Sequence, residues 1–406
     1  MQYKTKSSRL RVLIATPRAF PFMGGVENHV YQVATRMARS GIDVTVVSGD
    51  TSGDLPKVEC VEGVTMRRVP VWPRGGDFYF SPDFYRVIKA GHPDGAPWDL
   101  VHIQNYLTFC APVAMLGAMR AKVPYVITFH GGGHPSRLRN TMRNVQRLML
   151  KPLMIGAARY IATARFEFAQ FGDWLGLNKD RFLYIPNGSD ISLPKHATDS
   201  KVGVTPGLIL SIGRLESHKG HHRVIAAMPH VLQGCPQAQL HIVGFGPQED
   251  ELKQLVQTMN LSQCVKVYGI PATQRHAMVD LLARASLVTL LSEYETHPMA
   301  LLEALAMGKS ALIADTSGLS EIARDGFARA IPLNHPAEQT AAAILEQLRN
   351  PIHPKPVQLP TWDDCTNQLI DMYHHMLARP KPVFSAATVD TETTETNEDR
   401  ILVGSN

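Results

Sequence analysis

Two glutamates and two cations carry the chemistry that residue types and spacing suggest. Glu295 and Glu303 are eight positions apart; the first precedes a predicted helix and the second lies about one turn into it. Because they are on different elements, they need not act as a paired acid and base, and they more naturally hold two sets of sugar hydroxyls. Arg214 and Lys219 flank a predicted strand–helix loop and together suit a diphosphate. Solvated surface residues are the alternative for each pair taken alone.

Helix starts offer a second kind of anion contact through their backbone N–H groups. Pro298 occupies a position favoured at the start of a helix, so Met299 and Ala300 present unpaired N–H groups. Gly24 and Gly25 precede another predicted helix, where two glycines let the backbone approach a ligand. In both segments an ordinary helix start that meets only water is the alternative.

A histidine follows another predicted strand. His130 is followed by three glycines, which suggests close backbone contact with a ligand and one polarising side chain. A structural histidine is the alternative, although the position at a strand's carboxyl end favours function.

Two glycine motifs are not predicted to bind nucleotides in the usual way. Gly308-Lys309-Ser310 ends like a P-loop, but the first glycine of that motif would fall on Glu303. We predict that this tripeptide is a turn between a helix and a strand. Gly244-x-Gly246 begins a dinucleotide fingerprint, but Glu249 occupies the place of its third glycine.

The chain alternates predicted strands and helices, which indicates parallel sheets with helices on both sides. Strands are predicted in the first half at 10–16, 42–48, 64–69, 100–103, 125–129, 160–163 and 182–185. After a linker at about residues 190–206, rich in Pro, Gly, Ser and Asp, the alternation restarts and ends with a helix near 337–349. The predicted fold class is therefore α/β, with two doubly wound, Rossmann-like halves.

Composition restricts the class of protein and its compartment. The chain is 44% hydrophobic and 19% charged, as in globular proteins, and no run of about 18 apolar residues predicts a spanning helix. Five scattered cysteines, never in a C-x-x-C pair, argue against a disulfide framework or a zinc cage and favour the cytoplasm. The net charge of +5 suits a phosphorylated ligand or an anionic surface, and no nucleic-acid partner is predicted.

Taken together, the motifs resemble those of the retaining glycosyltransferases of family four, which have the GT-B fold. The resemblance extends from Arg11 to Leu377 and rests on motifs in a fixed order: Gly24-Gly25, His130, PNGSD at 186–190, GRLESHKG at 213–220, VGFGP at 243–247, and Glu295-x7-Glu303 followed by ALAMG. The GT-B fold implies two Rossmann-like domains that face each other across a cleft, and a C-terminal helix that crosses back. The predicted parts are an acceptor-binding domain at 1–195, a nucleotide-sugar-binding domain at 196–360, a crossover helix at 361–379 and a disordered acidic tail at 380–406.

The resemblance implies a role for each candidate residue. It implies that Arg214 and Lys219 neutralise the donor's diphosphate in place of a metal, so neither a metal nor a cofactor is predicted. It implies that Glu303 binds the ribose of the nucleotide, that Glu295 holds hydroxyls of the transferred sugar, and that His130 lies beside that sugar. Further donor contacts are implied for Gly24, Gly25, Tyr268, Gly269, Ile270, Met299 and Ala300, with the phosphate at Gly25 and the base at 268–270.

One position departs from the family pattern. His297-Pro298 stands where many members have Phe-Gly, and proline removes a backbone donor, so the contacts there should differ. A related subgroup resembles this His-Pro version, which we interpret as variation and not as loss of activity.

The predicted function is transfer of a sugar, with retention, from a nucleotide-diphosphate sugar to a saccharide or lipid-linked acceptor. Such a reaction belongs to polysaccharide, glycolipid or glycoconjugate synthesis. Two alternatives are a GT-B nucleotide-sugar isomerase or phosphorylase-like enzyme, and a catalytically silent subunit that binds a sugar nucleotide. The complete set of Arg214, Lys219, Glu295 and Glu303 argues against a silent subunit.

The acceptor is the least specified part of this prediction. Arg139, Arg143, Arg147 and Lys151 recur every four residues in a predicted helix that also carries apolar residues. Such a helix can lie on an anionic membrane, which suits a lipid-linked acceptor and a peripheral position at the inner membrane face. An ordinary exposed helix face is the alternative.

Overall fold

The computed structural model describes nine segments of the chain, and it gives the backbone alone for residues 137–142 and 275. The segments are 9–22, 24–74, 79–106, 108–131, 137–173, 175–189, 203–271, 274–353 and 359–378. Most of the predicted linker and all of the predicted acidic tail lie outside these segments.

The N-terminal half forms one sheet of eight strands within the described residues. They are β1 (Arg11–Thr16), β2 (Asp43–Asp50), β3 (Val58–Val61), β4 (Val64–Pro70), β5 (Leu100–Gln104), β6 (Tyr125–Phe129), β7 (Arg159–Ala162) and β8 (Phe182–Tyr184). Their order is β3-β4-β2-β1-β5-β6-β7-β8, and all neighbours are parallel except β3, which pairs antiparallel with β4. The sequence does not predict β3, because this four-residue strand is half exposed and has no apolar run.

Helices cover both faces of this sheet. They are α1 (Gly25–Arg39), α2 (Asp83–Ala90), α3 (Cys110–Ala121) and α4 (Arg137–Ile155). The last three share one apolar core, while α1 contributes to the other. Helix α1 ends at Arg39, and Gly41 follows it with φ +87°, a conformation that favours glycine.

The C-terminal half forms a sheet of six parallel strands among the described residues. They are β9 (Leu208–Ile212), β10 (Gln239–Val243), β11 (Val265–Tyr268), β12 (Leu287–Leu290), β13 (Ala311–Ala314) and β14 (Arg329–Ile331). Their order is β11-β10-β9-β12-β13-β14. The helices between and after them are α5 (His221–Gly234), α6 (Glu249–Thr258), α7 (Arg275–Arg284), α8 (Met299–Ala306), α9 (Ser317–Arg324) and α10 (Ala337–Arg349).

The last helix crosses back to the first domain. Helix α11 (Trp362–Ala378) buries Trp362 and Tyr373 in the core that α1 shares. Arg36 on α1 is paired with Asp363 at 2.8 Å. The predicted crossover helix is therefore confirmed, and with it the two doubly wound domains.

Each sheet has one place where the strand order reverses direction along the chain. These switch points lie between β1 and β5 in the first sheet and between β9 and β12 in the second. Ligands of doubly wound sheets bind at the carboxyl ends of the strands beside such a point. The loops after these strands are therefore the places to look for a site.

Candidate active site

An ion pair between Lys219 and Glu295 occupies the switch point of the second sheet. Lys219 ends a short 3-10 turn after β9, and Glu295 lies in the loop between β12 and α8. Lys219 Nζ lies 2.7 Å from Glu295 Oε1, and Ser292 Oγ donates to the same oxygen at 2.9 Å. The two charged side chains are only 18% and 10% exposed. A cation and a carboxylate, both largely shielded from water, are thus held together. A phosphate can replace Glu295 as the partner of Lys219, and a sugar hydroxyl can replace Lys219 as the partner of Glu295.

Gly220 fixes the turn that presents Lys219. Its φ is +75°, and a Cβ on it would lie 2.0 Å from the carbonyl oxygen of Leu291. The chain therefore passes so close to the end of β12 that only glycine fits. This close approach explains how residues 76 positions apart in the sequence come to share a hydrogen bond.

Arg214 does not share a partner with Lys219 in this structure. Its side chain is 67% exposed, and its Nη2 lies 2.6 Å from Glu216 Oε1. An exposed pair of this kind contributes at most about 1 kcal/mol, so Arg214 can leave Glu216 for a stronger anion at little cost. The predicted convergence of the two cations on one diphosphate stays a prediction.

Helix α8 begins beside this ion pair. It starts at Met299, as the sequence predicts, and Pro298 is the residue that precedes it. The Met299 and Ala300 side chains are partly exposed, whereas Glu303, one turn into the helix, is 7% exposed. The two predicted carboxylates are thus on different elements, as expected, and both are buried. Gly308 follows the helix with φ +70° and Lys309 Nζ bonds to the Ala283 carbonyl, which confirms the predicted turn.

His130 lies at the end of β6 in the first domain. Its Nε2 is 2.7 Å from Oε1 of Gln104, the last residue of the neighbouring strand β5. Its ring meets that of His29 on α1 edge-to-face, with centroids 4.9 Å apart. Burial lowers the pKa of His130 well below its usual value, and the neighbouring His29 and His102 lower it further. His130 is therefore a neutral imidazole at pH 7.

The loop that carries His130 touches the loop that carries Glu295. Gly131 has φ +84°, and a Cβ on it would lie 2.2 Å from Thr296 Oγ1 and 2.9 Å from Tyr294 Oη. On the same boundary, the rings of Phe166 and Tyr294 meet edge-to-face at 6.0 Å. The structure thus brings the His130 loop of the first domain next to the loop of the second domain that carries Glu295, the partner of Lys219.

The start of α1 is the remaining predicted contact. Gly24 precedes the helix in an extended conformation, and Gly25 is its first residue. A Cβ on Gly25 would meet no described atom within 4 Å, whereas one on Gly24 would meet the flexible Glu27 carboxylate. The backbone at Gly25 is therefore open to a ligand. Met23 and the second and third glycines after His130, Gly132 and Gly133, lie outside the described residues.

Two family models together account for most of the chain. Residues 24–188 match the glycosyl transferase 4-like domain, and residues 195–359 match the glycosyl transferases group 1 model. The chain belongs to the group 1, family four glycosyltransferases. Its activity class is therefore glycosyl transfer.

Relatives of this glycosyltransferase act in several branches of carbohydrate chemistry. It is 26% identical to the D-inositol 3-phosphate glycosyltransferase of Nocardiopsis dassonvillei, with 86% of this chain and 89% of the relative aligned. It is 27% identical to the phosphatidyl-myo-inositol mannosyltransferase of Mycolicibacterium smegmatis, with 83% and 84% aligned. The sucrose-phosphate synthase of Thermosynechococcus elongatus superposes with a TM-score of 0.73 at 19% identity, over 91% of this chain and all of that one. This likeness shows the GT-B fold.

In this glycosyltransferase the predicted base-binding backbone lies under an aromatic ring. Tyr268 ends β11 and its hydroxyl lies 3.0 Å from His241 Nδ1. A Cβ on Gly269 would lie 2.1 Å from the ring of Phe245, which is 56% exposed. Ile270 follows, half-buried. Phe245 was not predicted as a site residue, and its place between Gly244 and Gly246 is the signal that could have identified it.

Two polar residues that support the site were also missed. Ser292 is fully buried and holds Glu295, and Gln104 is 1% exposed and holds His130. Gln104 and His102 alternate in β5, so both project on one face of the sheet. A pair of polar residues in an otherwise apolar strand is the signal that could have revealed them.

A fully buried carboxylate anchors the His130 loop. Glu167 Oε1 accepts from the Gly131 N–H at 2.6 Å, and Oε2 accepts from the N–H groups of Thr163 and Ala164 at 2.7 and 3.2 Å. Burial raises the pKa of Glu167, whereas these three backbone hydrogen bonds lower it and favour the ionised carboxylate. N–H groups point at both carboxylate oxygens, so Glu167 accepts hydrogen bonds at each of them.

We expect Glu167→Gln to lower the free energy of unfolding by about 2–3 kcal/mol, because the new NH₂ group must face a backbone N–H. Urea unfolding followed by circular dichroism measures this loss. Glu338→Gln, at the exposed start of α10, is the matched control and should be neutral. A Glu167→Gln protein as stable as the wild type would contradict the anchoring role.

Proposed function

We propose that this glycosyltransferase transfers a sugar from a nucleotide-diphosphate donor to a saccharide or lipid-linked acceptor, with retention and without a metal or cofactor. The observation that carries the proposal is the shielded Lys219–Glu295 pair beside the loop of His130. This arrangement supplies a cation for the diphosphate and a carboxylate for sugar hydroxyls in one cleft. Several solved structures of the same fold are complexes with UDP or ADP, which supports a nucleotide donor.

In the proposed reaction the bond between the sugar's anomeric carbon and the diphosphate breaks, and negative charge grows on the leaving group. Lys219, Arg214 and the first N–H groups of α8 stabilise that charge where it develops. The acceptor oxygen bonds to the anomeric carbon from the same face. Its proton passes to the departing phosphate oxygen, so no carboxylate has to act as a covalent nucleophile.

The donor's ribose and sugar are held by the two buried acids. We assign Glu303 to the ribose hydroxyls and Glu295 to hydroxyls of the transferred sugar, because ionised carboxylates accept strong hydrogen bonds. Contact between the two domains excludes water, which limits hydrolysis of the donor.

Purified protein incubated with a panel of nucleotide sugars, with and without lipid extract, tests the proposal. We expect release of nucleoside diphosphate only when an acceptor is present, unaffected by EDTA, and a product whose anomeric configuration by NMR matches that of the donor. Binding without turnover in the presence of the acceptor pool would indicate the silent subunit instead. An inverted product would overturn the retaining step.

The helix α4 presents an apolar face to the surface. Val145, Leu148, Met149 and Ile155 are 54%, 55%, 74% and 49% exposed, and their spacing places them on one side of the helix. The prediction that Arg147 belongs to an exposed basic face is wrong. It is 5% exposed, and its Nε donates to Tyr106 Oη at 2.8 Å.

We propose that this face of α4 rests on an anionic membrane at the cytoplasmic side, where a lipid-linked acceptor resides. The apolar side chains suit the acyl boundary, and the partly exposed Lys151, which flanks them on the helix, suits lipid phosphates. Within the described residues no helix has the length and apolar character needed to cross a bilayer. The proposed contact is therefore peripheral.

We expect the double variant Val145→Glu/Met149→Glu to lose at least about tenfold in affinity for vesicles that contain anionic lipid, because two apolar contacts worth about 1.5–3 kcal/mol each are replaced by repelled charges. Sedimentation with vesicles of phosphatidylcholine and phosphatidylglycerol measures it. Val58→Glu/Val204→Glu changes two other exposed valines and is the matched control. If the wild-type protein does not bind anionic vesicles, the proposed membrane contact is contradicted.

A further inference from the structure

A buried chain of side chains connects His130 to the crossover helix. Tyr373 Oη of α11 lies 2.5 Å from His102 Nδ1, and His102 Nε2 lies 3.1 Å from Gln104 Nε2. The other end of the same carboxamide, Gln104 Oε1, bonds to His130 Nε2 at 2.7 Å. Thr128 Oγ1 is 2.6 Å from His102 Nε2. These side chains link the end of β6 to a helix more than two hundred residues later in the sequence.

The members of this chain are shielded from water. His102 and Tyr373 are 0% exposed, and Gln104 is 1% exposed. Burial lowers the pKa of His102 to about 3. The third imidazole at this place, His29, has its pKa lowered by burial to about 4 and lies 2.8 Å from Asn187 Oδ1 through Nδ1. The two histidines that act on His130 among the described residues of the first domain, His29 and His102, are thus neutral.

The carboxamide of Gln104 decides where the protons are. In the orientation that the structure gives this carboxamide, its oxygen faces His130 Nε2 and only accepts hydrogen bonds, so His130 Nε2 carries a proton. Its nitrogen only donates, so His102 Nε2 presents a lone pair, and the proton of His102 is on Nδ1, toward Tyr373 Oη. A neutral His130 with a proton on Nε2 has its lone pair on Nδ1.

We propose that Gln104 is a positioning residue that holds His130 as the neutral Nε2–H tautomer, so that Nδ1 accepts a hydrogen bond from a hydroxyl of the transferred sugar. The role of the sugar rests on the proposed function, whereas the tautomer does not. The arrangement depends on α11 being docked, because the Tyr373 hydroxyl on this helix accepts a hydrogen bond from the Nδ1–H of His102.

A carboxylate at position 104 should change both histidines. Gln104→Glu offers only acceptors, so His102 must place a proton on Nε2, and the charge stabilises an imidazolium at His130. Gln104→Met keeps a similar size without either hydrogen bond, so His130 should populate both tautomers. Gln368→Glu, on the exposed side of α11, adds the same charge away from the chain and is the matched control.

Nitrogen-15 NMR of the full-length protein labelled in histidine reads the tautomers directly. The His130 signals are identified by their loss in His130→Asn. We expect the Nε2–H pattern for the wild type and for Gln368→Glu from pH 6 to 8, an imidazolium pattern for Gln104→Glu at pH 6, and mixed tautomers for Gln104→Met. An Nδ1–H pattern in the wild type, or an unchanged His130 in both Gln104 variants, would overturn the positioning role.

Kinetics then test the link to the sugar. We expect both Gln104 variants to lower kcat about 10–100-fold while the Kd for the nucleoside diphosphate alone, which lacks the sugar, stays unchanged. Altered tautomers with wild-type kcat would overturn the sugar contact. A wild type with the expected tautomer but no transfer with any donor would contradict the proposed function and leave the tautomer assignment standing.

Discussion

Lys219→Ala is expected to lower kcat for sugar transfer by roughly 10²–10³-fold, the loss seen when one group that stabilises developing negative charge is removed from a site. Lys219 is the cation held at the switch point of the second sheet, within 2.7 Å of Glu295 and shielded from water. Alanine leaves the leaving diphosphate without that charge. Initial rates at saturating donor and acceptor measure the effect.

The fold should survive this change with a lowered thermal midpoint, because Glu295 loses its cation but Ser292 Oγ still donates to Glu295 Oε1. Circular dichroism and the thermal midpoint check this. Lys253→Ala removes a cation of the same domain from an exposed pair with Glu249, and serves as the control with expected wild-type kinetics. A Lys219→Ala enzyme with near-normal kcat would contradict the role of Lys219 in stabilising the diphosphate.

Glu303→Gln is expected to raise the donor KM by about 10–100-fold with a smaller change in kcat. Each hydrogen bond from a ribose hydroxyl to a carboxylate is worth about 1.5–3 kcal/mol, and most of it is lost when the acceptor is uncharged. Because Glu303 lies on α8 and is buried, no other conformation of the side chain compensates. Saturation curves with the donor give both constants.

Deoxy donors make this prediction specific to the ribose. The wild type should bind 2′-deoxy and 3′-deoxy forms of the nucleoside diphosphate more weakly than the parent, and Glu303→Gln should lose most of that preference. Glu251→Gln, on the exposed face of α6, is the control and should keep it. A variant that retains the full preference for ribose would assign Glu303 another role.

Continuous apolar runs predict the strands of this protein well. The predicted run at 125–129 is a strand with those bounds in the structure and is buried throughout, because parallel strands covered on both faces need mostly apolar residues. Helix α9 and strand β14 were not predicted. They are short, and their residues have the mixed polarity of a loop.

Side-chain direction is harder to infer from spacing alone. Basic residues at every fourth position suggested one exposed face on α4, yet Arg147 points inward against Tyr106. Residues four apart are displaced by about 40° around a helix, so a series of four spreads over about 120° of its circumference and extends beyond one narrow face. The spacing therefore fitted a helix, but it did not fix which members meet water.

Contacts between distant segments depend on strand order, which the sequence does not show. The resemblance to family four implied that Lys219 and Glu295 share a donor site, but their direct bond follows from the adjacency of β9 and β12. The same holds for Gln104 and His130, which meet because β5 and β6 are neighbours. Such pairs require the topology before they can be proposed.

The two places where the backbone passes between domains lie side by side. The Ser189 N–H donates to the Pro360 carbonyl at 2.8 Å, Ser189 and Thr361 form a parallel bridge, and a Cβ on Gly188 would lie 2.4 Å from Trp362 Cα. Because these contacts join the two crossings, we expect the domains to open by rotation about this one place and not by sliding. Contacts across the opening, such as the exposed Arg165–Asp325 pair at 3.4 Å, are weak enough to break in each cycle. A donor molecule therefore enters a cleft that opens at little cost and returns to the same register when it closes.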